Sequence, residues 1–298
     1  MKFVYSPEYH ADIGLHVFPT EKYDRIYKQL QREGLIKDGD VLFPERPSDE
    51  QLLRVVSREY LDDLVNYRLT ARTYPSEMPV KKDIIDAQLL CCGGSHLAAI
   101  TALEHGACFH NGGGFHHAFA DHAEGFCYLN DVVFTAAMMI EHGIERIAVI
   151  DCDLHQGNGT AKFFHDEKRV FTFSMHQEHL YPAKQKSDLD IGLRNGVGDD
   201  EYLELLGGAL EKIFGGFCPG FVIFLAGADP YVFDQLGSLR LTVDGLSKRD
   251  ELVIGKAFEG DTPIIAVLAG GYAENVDDTV EIHCNTARVM AKRQKTRS

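Results

Sequence analysis

Three side chains able to bind a metal ion follow an apolar segment at alternate positions. Asp151, Asp153 and His155 come directly after the apolar residues 147–150. Because alternate side chains of an extended chain leave it on the same side, two carboxylates and one imidazole can point together. Such oxygens and nitrogens are ordinary ligands of Zn²⁺ and similar ions. The spacing suits a metal site, and an equal alternative is that Asp151 and Asp153 are loop residues that cap the next helix.

Asp229 is the natural third ligand, because it follows a second apolar segment, residues 221–226. An Asp, His, Asp set leaves one coordination position open for water, which is the arrangement of a catalytic metal site. The three residues therefore indicate hydrolytic chemistry at a metal ion.

A histidine pair follows a run of three glycines. Glycines 112–114 allow close approach of the backbone to a ligand, or a positive φ, and His116 and His117 come next. Imidazoles titrate near neutral pH and suit general acid–base work. The alternatives are a glycine-rich turn with surface histidines, or a histidine that itself binds metal.

Tyr272 follows two glycines, Gly270 and Gly271. A tyrosine at such a hinge could donate its O–H to a developing oxyanion. Taken alone, the motif favours a packed or surface tyrosine.

These segments lie where strands of an α/β fold should end. Apolar strands are predicted at 107–110, 146–150, 170–175, 221–226 and 263–268, and helices at 130–142, 159–166, 199–214, 244–258 and 276–292. The alternation predicts one three-layer α/β/α domain with a mainly parallel central sheet. Ligands bind at the carboxyl ends of such strands, so the four motifs should meet at one sheet edge.

The first 80 or so residues are predicted to be mostly helical after a strand at 2–5. One helix should open at Thr20 and end at Gly34, and a capping box at Ser48 should open a second that runs to about Tyr67. A third should cover 83–104, with a glycine pair at 93–94 as a weak point.

Composition excludes several classes of protein. The 298 residues are 45% hydrophobic and 25% charged, as in a globular chain, and the net charge of −15 argues against direct nucleic-acid binding. The basic cluster 292–297 is predicted to be a solvated helix end and tail. No run of about 18 apolar residues and no signal peptide is recognised, so no membrane association is expected. Seven cysteines form no disulfide framework, which predicts a cytoplasmic protein, with a nuclear location open in a eukaryote.

Taken together, the motifs resemble those of the zinc-dependent histone deacetylase family, which has the arginase/deacetylase fold. The matching segments are 113–118, 151–159, 174–176, 226–229 and 270–272. The likeness covers essentially the whole chain and predicts one deacetylase domain over residues 1–298. Segments 15–19, 125–127, 155–159 and 248–253 are similar to the class IV branch.

The resemblance implies the metal sites. Asp153, His155 and Asp229 would bind Zn²⁺, although Fe²⁺ also suits this mixed set of oxygen and nitrogen ligands. Asp151 and Ser174, with backbone carbonyls nearby, match a structural K⁺ site.

It also implies the catalytic histidine pair, His116 and His117, with Asp151 behind His116. Many relatives place an Asp behind the second histidine, where this chain has Asn158. A neutral amide favours the imidazolium far less than a carboxylate does. We therefore predict that His117 is neutral at rest and ready to act as a base.

The other implied residues concern substrate. Tyr272 would stabilise the transition state, and Gly125 and Phe126 would line a narrow acyl-lysine channel. His16, His176, His179 and Tyr181 could face the site or its rim.

The implied activity is removal of acetyl or longer acyl groups from lysine side chains of proteins or peptides. The alternatives are hydrolysis of small acetylated amines such as acetylpolyamines and, as a third possibility, a non-catalytic acyl-lysine reader. A binuclear manganese ureohydrolase of the same fold would need carboxylates where Gly227 and Asn158 stand. The sequence makes no prediction of the oligomeric state.

Overall fold

The computed structural model describes residues 1–296, so Arg297 of the basic cluster lies outside the described part. Eight strands form one sheet in the order β2-β1-β3-β8-β7-β4-β5-β6, and every neighbouring pair is parallel. The strands are β1 Lys2–Val4, β2 Val41–Leu42, β3 Ala107–His110, β4 Ile147–Asp151, β5 Val170–Gln177, β6 Leu189–Leu193, β7 Phe221–Leu225 and β8 Ile264–Val267.

Helices flank this sheet, which confirms the predicted three-layer α/β/α fold class. Helix α4 packs on β1, β3 and β8 and contacts α5, whereas α7, α8, α9 and α1 contact one another in that order. The α-helices are α1 Lys22–Arg32, α2 Asp49–Leu52, α3 Arg58–Val65, α4 Lys82–His105, α5 Asp131–Glu141, α6 Asn158–Phe164, α7 Asp199–Lys212, α8 Val243–Glu259 and α9 Val276–Lys295.

The central strands are buried along their whole length. Every residue of β3, β4, β7 and β8 is buried. Strands covered on both faces have no solvent side, so their sequences are continuous apolar runs instead of alternating ones. This is why they could be recognised in the sequence. All seven cysteines are free thiols, in agreement with the prediction of no disulfide framework.

The glycine pair in α4 is a close-packing point, and the prediction of a weak point there is wrong. A Cβ on Gly93 would collide with the backbone carbonyl of Glu45, and one on Gly94 with the Tyr9 hydroxyl and the His110 ring. By length and composition α4 could cross a membrane. The sequence analysis did not single it out, because its apolar residues do not form one unbroken run. However, 72% of its most apolar window is buried inside the protein.

The predicted helix from Ser48 to Tyr67 is two helices. Ser48 does form the capping box with Gln51, but α2 ends at Leu52. Ser57 then caps α3 by accepting a hydrogen bond from the Tyr60 N–H. The sequence analysis also missed β2 and β6, which are the two edge strands of the sheet.

The sheet order explains how the four motifs meet. Strands β3, β8, β7 and β4 are successive neighbours, and because they are parallel their carboxyl ends lie along one edge. The glycine-rich loop, Gly270, Asp229 and Asp151 stand at or just beyond these four ends. The order of the parallel strands is therefore sufficient to bring the predicted site residues together.

Candidate active site

Asp153, His155 and Asp229 form a buried cluster at this edge. One ligand atom from each lies within 4.8 Å of the other two. His155 Nδ1 is 3.3 Å from Asp153 Oδ1 and 3.3 Å from Asp229 Oδ2. Two carboxylates and one imidazole nitrogen therefore converge on one point, as the spacing in the sequence predicted.

Backbone N–H groups hold the carboxylates in place. Leu154 donates to Asp229 Oδ1 at 2.9 Å, and His155 donates to Asp153 Oδ1 at 2.9 Å. Gly270, from the loop after β8, donates to Asp153 Oδ2 at 2.7 Å. These bonds connect the loops after β4, β7 and β8, so backbone groups position both carboxylates of the cluster.

The cluster fits a divalent cation. Asp229 Oδ2 is buried and has no hydrogen-bond partner within residues 1–296. Burial and the neighbouring Asp153 raise the pKa of Asp229 to about 6. Burial alone would lower the pKa of His155, but the carboxylates of Asp153 and Asp229 beside its Nδ1 raise it to about 10. Two buried carboxylates beside each other favour a positive charge between them, and a metal ion bound to neutral His155 would supply it in place of the imidazole proton.

His116 and His117 lie beside the cluster. His116 Nδ1 is 2.7 Å from Asp151 Oδ2, and the Nε2 atoms of the two histidines are 3.1 Å apart. Burial opposes charge on His116, but Asp151 and Asp153 outweigh it and raise the pKa of His116 to about 9. The structure therefore places Asp151 behind His116, where the resemblance implied it.

Asn158 supports His117. Its Oδ1 is 2.8 Å from His117 Nδ1, which must therefore carry the proton that Oδ1 accepts. His117 Nε2 is then the unprotonated nitrogen of the neutral ring. Burial first, and then His116 and His155, lower the pKa of His117 well below its usual range.

The loop that carries the histidines is anchored by Asp131, which the sequence analysis missed. Asp131 Oδ1 accepts hydrogen bonds from Gly114 at 3.0 Å and Phe115 at 2.8 Å, and the Ser95 hydroxyl also donates to Asp131. Gly113 and Gly114 have φ values of +70° and +88°. Glycine is required there because this left-handed backbone strains other residues.

We expect Asp131→Ala to destabilise the protein by about 2–6 kcal/mol, because it leaves two buried N–H groups unpaired and each costs about 1–3 kcal/mol. Urea unfolding followed by circular dichroism measures the loss. Asp131→Asn keeps an accepting oxygen and is the matched control, with a smaller expected loss. An Ala variant as stable as the wild type would show that the loop does not depend on this anchor.

A narrow cavity of about 340 Å³ leads to the cluster. Gly125, Phe126, Tyr181 and Tyr272 line it. The complete lining is Glu77, His117, Gly125, Phe126, His155, Leu180, Tyr181, Leu236 and Tyr272. Most of these side chains are apolar or aromatic, so the channel suits a hydrocarbon stem with a polar end at the metal cluster.

Tyr272 is held by both of its backbone polar groups. Its N–H donates to Asp234 Oδ2 at 2.7 Å, and its carbonyl accepts from Gln235 Nε2 at 2.8 Å. Burial raises the pKa of Tyr272 well above its usual range, which keeps the hydroxyl protonated. The side chain is therefore an oriented hydrogen-bond donor at the channel wall.

The remaining predicted residues lie at different distances from the channel. His16 contacts Phe126 with ring centroids 4.8 Å apart. Ser174 lies beside Asp151 on the adjacent strand, and its hydroxyl bonds to His176 Nδ1 at 3.0 Å, away from the channel lining. The His179 side chain is 86% exposed and does not line the channel.

Comparison with known proteins agrees with this geometry. The model of the histone deacetylase domain matches residues 16–287. An uncharacterised protein of Picosynechococcus is 38% identical over 94% of this chain and 95% of its own length. Histone deacetylase 2 of Arabidopsis thaliana is 32% identical over 94% of this chain and 78% of its own, and a probable deacetylase of Archaeoglobus fulgidus is 29% identical over 91% and 80%. With its buried Asp-His-Asp cluster, this chain therefore belongs to the histone deacetylase family of hydrolases.

Proposed function

We propose that this protein is a metal-dependent deacylase that removes acetyl or longer acyl groups from lysine side chains of proteins or peptides. The observation that carries the proposal is a buried Asp153, His155 and Asp229 cluster at the end of a narrow aromatic channel. A lysine stem is apolar along its methylene groups, so it matches walls formed by Phe126 and Leu236. The name of the Arabidopsis relative, a histone deacetylase, supports the same substrate class.

The three-residue cluster is the proposed Zn²⁺ site, with Fe²⁺ as the alternative ion for this ligand set. Bound there, the ion would polarise the amide carbonyl and lower the pKa of a water molecule. Asp151 and Ser174, which are neighbours on adjacent strands, support a separate structural K⁺ site. Metal analysis of the purified protein would identify both ions.

The protein's own residues would move the protons. His117 Nε2 takes a proton from the attacking water and delivers it to the leaving amine of the lysine. The Tyr272 hydroxyl donates to the oxyanion of the tetrahedral intermediate. His116, paired with Asp151, adjusts the electrostatic field and does not itself move the proton. The lowered pKa of His117 and the hydrogen bond that its Nδ1–H donates to Asn158 support this assignment.

The whole chain, residues 1–298, is proposed to form one deacetylase domain, since a single sheet and one continuous core include both ends of the described chain. Membership of the class IV branch and a cytoplasmic location stay predictions.

We expect turnover of acyl-lysine peptides in a panel from acetyl to myristoyl, with acetylspermidine assayed beside it. Tyr272→Phe removes only the hydroxyl and should lower kcat by about 10²–10³-fold, the usual effect of losing one oxyanion donor. Bound metal and thermal unfolding temperature should be unchanged in this variant. The preferred chain length would measure the depth of the acyl site.

Two outcomes would redirect the proposal. Turnover of acetylspermidine alone would indicate a small-amine hydrolase; Glu77 is the one carboxylate of the channel lining that could attract such a cation. Binding of acyl-lysine without turnover, with metal present, would indicate a reader.

A further inference from the structure

Glu124 lies behind the channel wall and contacts the support of the proposed base. Its Oε1 accepts a hydrogen bond from Asn158 Nδ2 at 2.8 Å and one from the Tyr181 hydroxyl at 3.2 Å. Only 21% of its side chain is exposed. Glu124 therefore bonds at once to the residue behind His117 and to a residue of the channel lining.

The contact with Asn158 fixes which way its amide points. An amide has one accepting end and one donating end, and both orientations have nearly the same shape. A carboxylate accepts only, so Glu124 selects the orientation in which the NH₂ group faces it. The amide oxygen must then face His117 Nδ1, which lies 2.8 Å away.

The orientation of the amide decides which ring nitrogen of His117 holds the proton. An amide oxygen opposite Nδ1 requires Nδ1–H and leaves Nε2 with its lone pair. A reversed amide would donate to Nδ1 and force the proton onto Nε2, where it would block proton transfer from water. His117 Nε2 lies 3.1 Å from His116 Nε2, which is itself 3.7 Å from Asp153 Oδ1, so Nε2 is the nitrogen on the side of the Asp-His-Asp cluster.

A tight turn keeps Glu124 in place. Glu124 and Cys127 exchange backbone hydrogen bonds of 3.1 and 2.9 Å around Gly125 and Phe126. These two central residues have φ values of +49° and +64°, so both are left-handed, as in a type I′ turn. A Cβ on Gly125 would lie 2.6 Å from the His117 ring and 2.8 Å from the Tyr181 hydroxyl. The turn is therefore packed directly against His117 and against Tyr181, which Glu124 contacts.

We infer that Glu124 is a positioning residue for deacylation, which holds Asn158 in the one amide orientation that leaves Nε2 of His117 without a proton. This role rests on the proposed function of His117 as the base. It extends the support of His117 from one residue to a chain of three, Glu124, Asn158 and His117. Glu124 also bonds to Tyr181 of the channel wall. The same carboxylate therefore positions the support of the proposed base and a side chain of the channel.

The tautomer of His117 is the direct test. Long-range ¹H–¹⁵N spectra of the full chain loaded with Zn²⁺ and labelled with ¹⁵N-histidine report which nitrogen carries the proton, with His117→Gln used for assignment. The wild type should show the proton on Nδ1. Glu124→Ala should shift the ratio of the two tautomers toward Nε2–H by about tenfold or more, the effect of losing one charge-assisted hydrogen bond. kcat should fall severalfold, with KM for the acetyl-lysine peptide nearly constant.

Matched variants separate positioning from charge. Glu124→Gln keeps an accepting oxygen for Asn158 and should retain the Nδ1 tautomer, whereas a role through negative charge alone would make Gln resemble Ala. Asn158→Asp accepts at either oxygen, so adding it to Glu124→Ala should restore the proton on Nδ1. Asp188→Asn removes the charge of a carboxylate that bonds to Thr172, away from Glu124, and should leave the tautomer unchanged.

Three results would overturn the inference: an Nδ1 tautomer that survives in Glu124→Ala, a Glu124→Gln variant that loses it, or no restoration in the double variant. The spectra do not depend on turnover. A wild type that hydrolyses no substrate would therefore refute the proposed function. The tautomer of His117 in the Glu124 variants would still show whether Glu124 positions Asn158.

Discussion

Replacement of Asp229 by alanine is expected to abolish stoichiometric metal binding and nearly all deacylation. Asp229 Oδ2 is a buried oxygen with no hydrogen-bond partner among residues 1–296, and without Asp229 the cluster of possible metal ligands would keep only one carboxylate. Charge stabilisation by a catalytic metal is worth several kcal/mol, and each 1.36 kcal/mol is a factor of ten in rate. We therefore expect kcat to fall by about 10³-fold or more, measured with the preferred acyl-lysine peptide, together with loss of metal by elemental analysis.

The stability of the same variant gives a second measurement of the site. An ion that binds only the folded state stabilises it by about 2.7 kcal/mol at 100 times its dissociation constant. Chelation should therefore lower the unfolding temperature of the wild type, and added Zn²⁺ should restore it. Asp229→Ala should not respond to either treatment. Asp188→Asn, altered at a carboxylate that bonds to Thr172, should respond as the wild type does. Full metal content in Asp229→Ala would contradict the proposed site.

The Asp-His-Asp cluster could be predicted from the sequence because its placement depends on strand ends. Asp153 and Asp229 are 76 positions apart in the chain. However, β4 and β7 are adjacent parallel strands, and residues just past their carboxyl ends must meet. Continuous apolar runs identify such buried strands. The local pattern therefore also indicates which distant residues meet at the sheet edge. The same reasoning located the glycine-rich loop and Tyr272.

The supporting residues could not be predicted in this way. Glu124 reaches Asn158 across 34 positions, and Asp131 reaches Gly114 across 17. These contacts depend on how irregular loops pack, and no periodic pattern records that. Phe126 has φ of +64°, a conformation that a sequence would normally assign to glycine. Positions that break local rules are expected where a site imposes its own geometry.

Errors at the edges of the fold have a simpler cause. Strand β2 has two residues, and β6 alternates exposed and partly buried positions around a glycine. Neither is long or apolar enough to be distinguished from a loop. In contrast, the glycine pair of α4 is conspicuous in the sequence. It was predicted to weaken the helix, but it is where the helix packs most closely against its neighbours. Its cause is the close approach of Glu45 and Tyr9, which only the folded chain shows.

His117→Gln is expected to lower kcat by about 10²–10⁴-fold, the usual contribution of a general acid–base residue, with metal content unchanged. His117 lies outside the Asp-His-Asp cluster, so the variant should separate proton transfer from metal binding. Glutamine has a similar polar reach but cannot accept a proton near neutral pH. Single-turnover rates with the preferred acyl-lysine peptide measure the chemical step directly.

The comparison with His116→Gln decides which histidine moves the proton. His116 is bonded to Asp151 and has a raised pKa, so near neutral pH it is charged and has no free lone pair to accept a proton. Its loss should therefore reduce the rate less than the loss of His117 does. His176→Gln changes a buried histidine outside the channel lining and should retain most of the activity. If His116→Gln were instead the more damaging variant, the charged ring would be acting as the acid, and the assignment of base and electrostatic partner would be reversed.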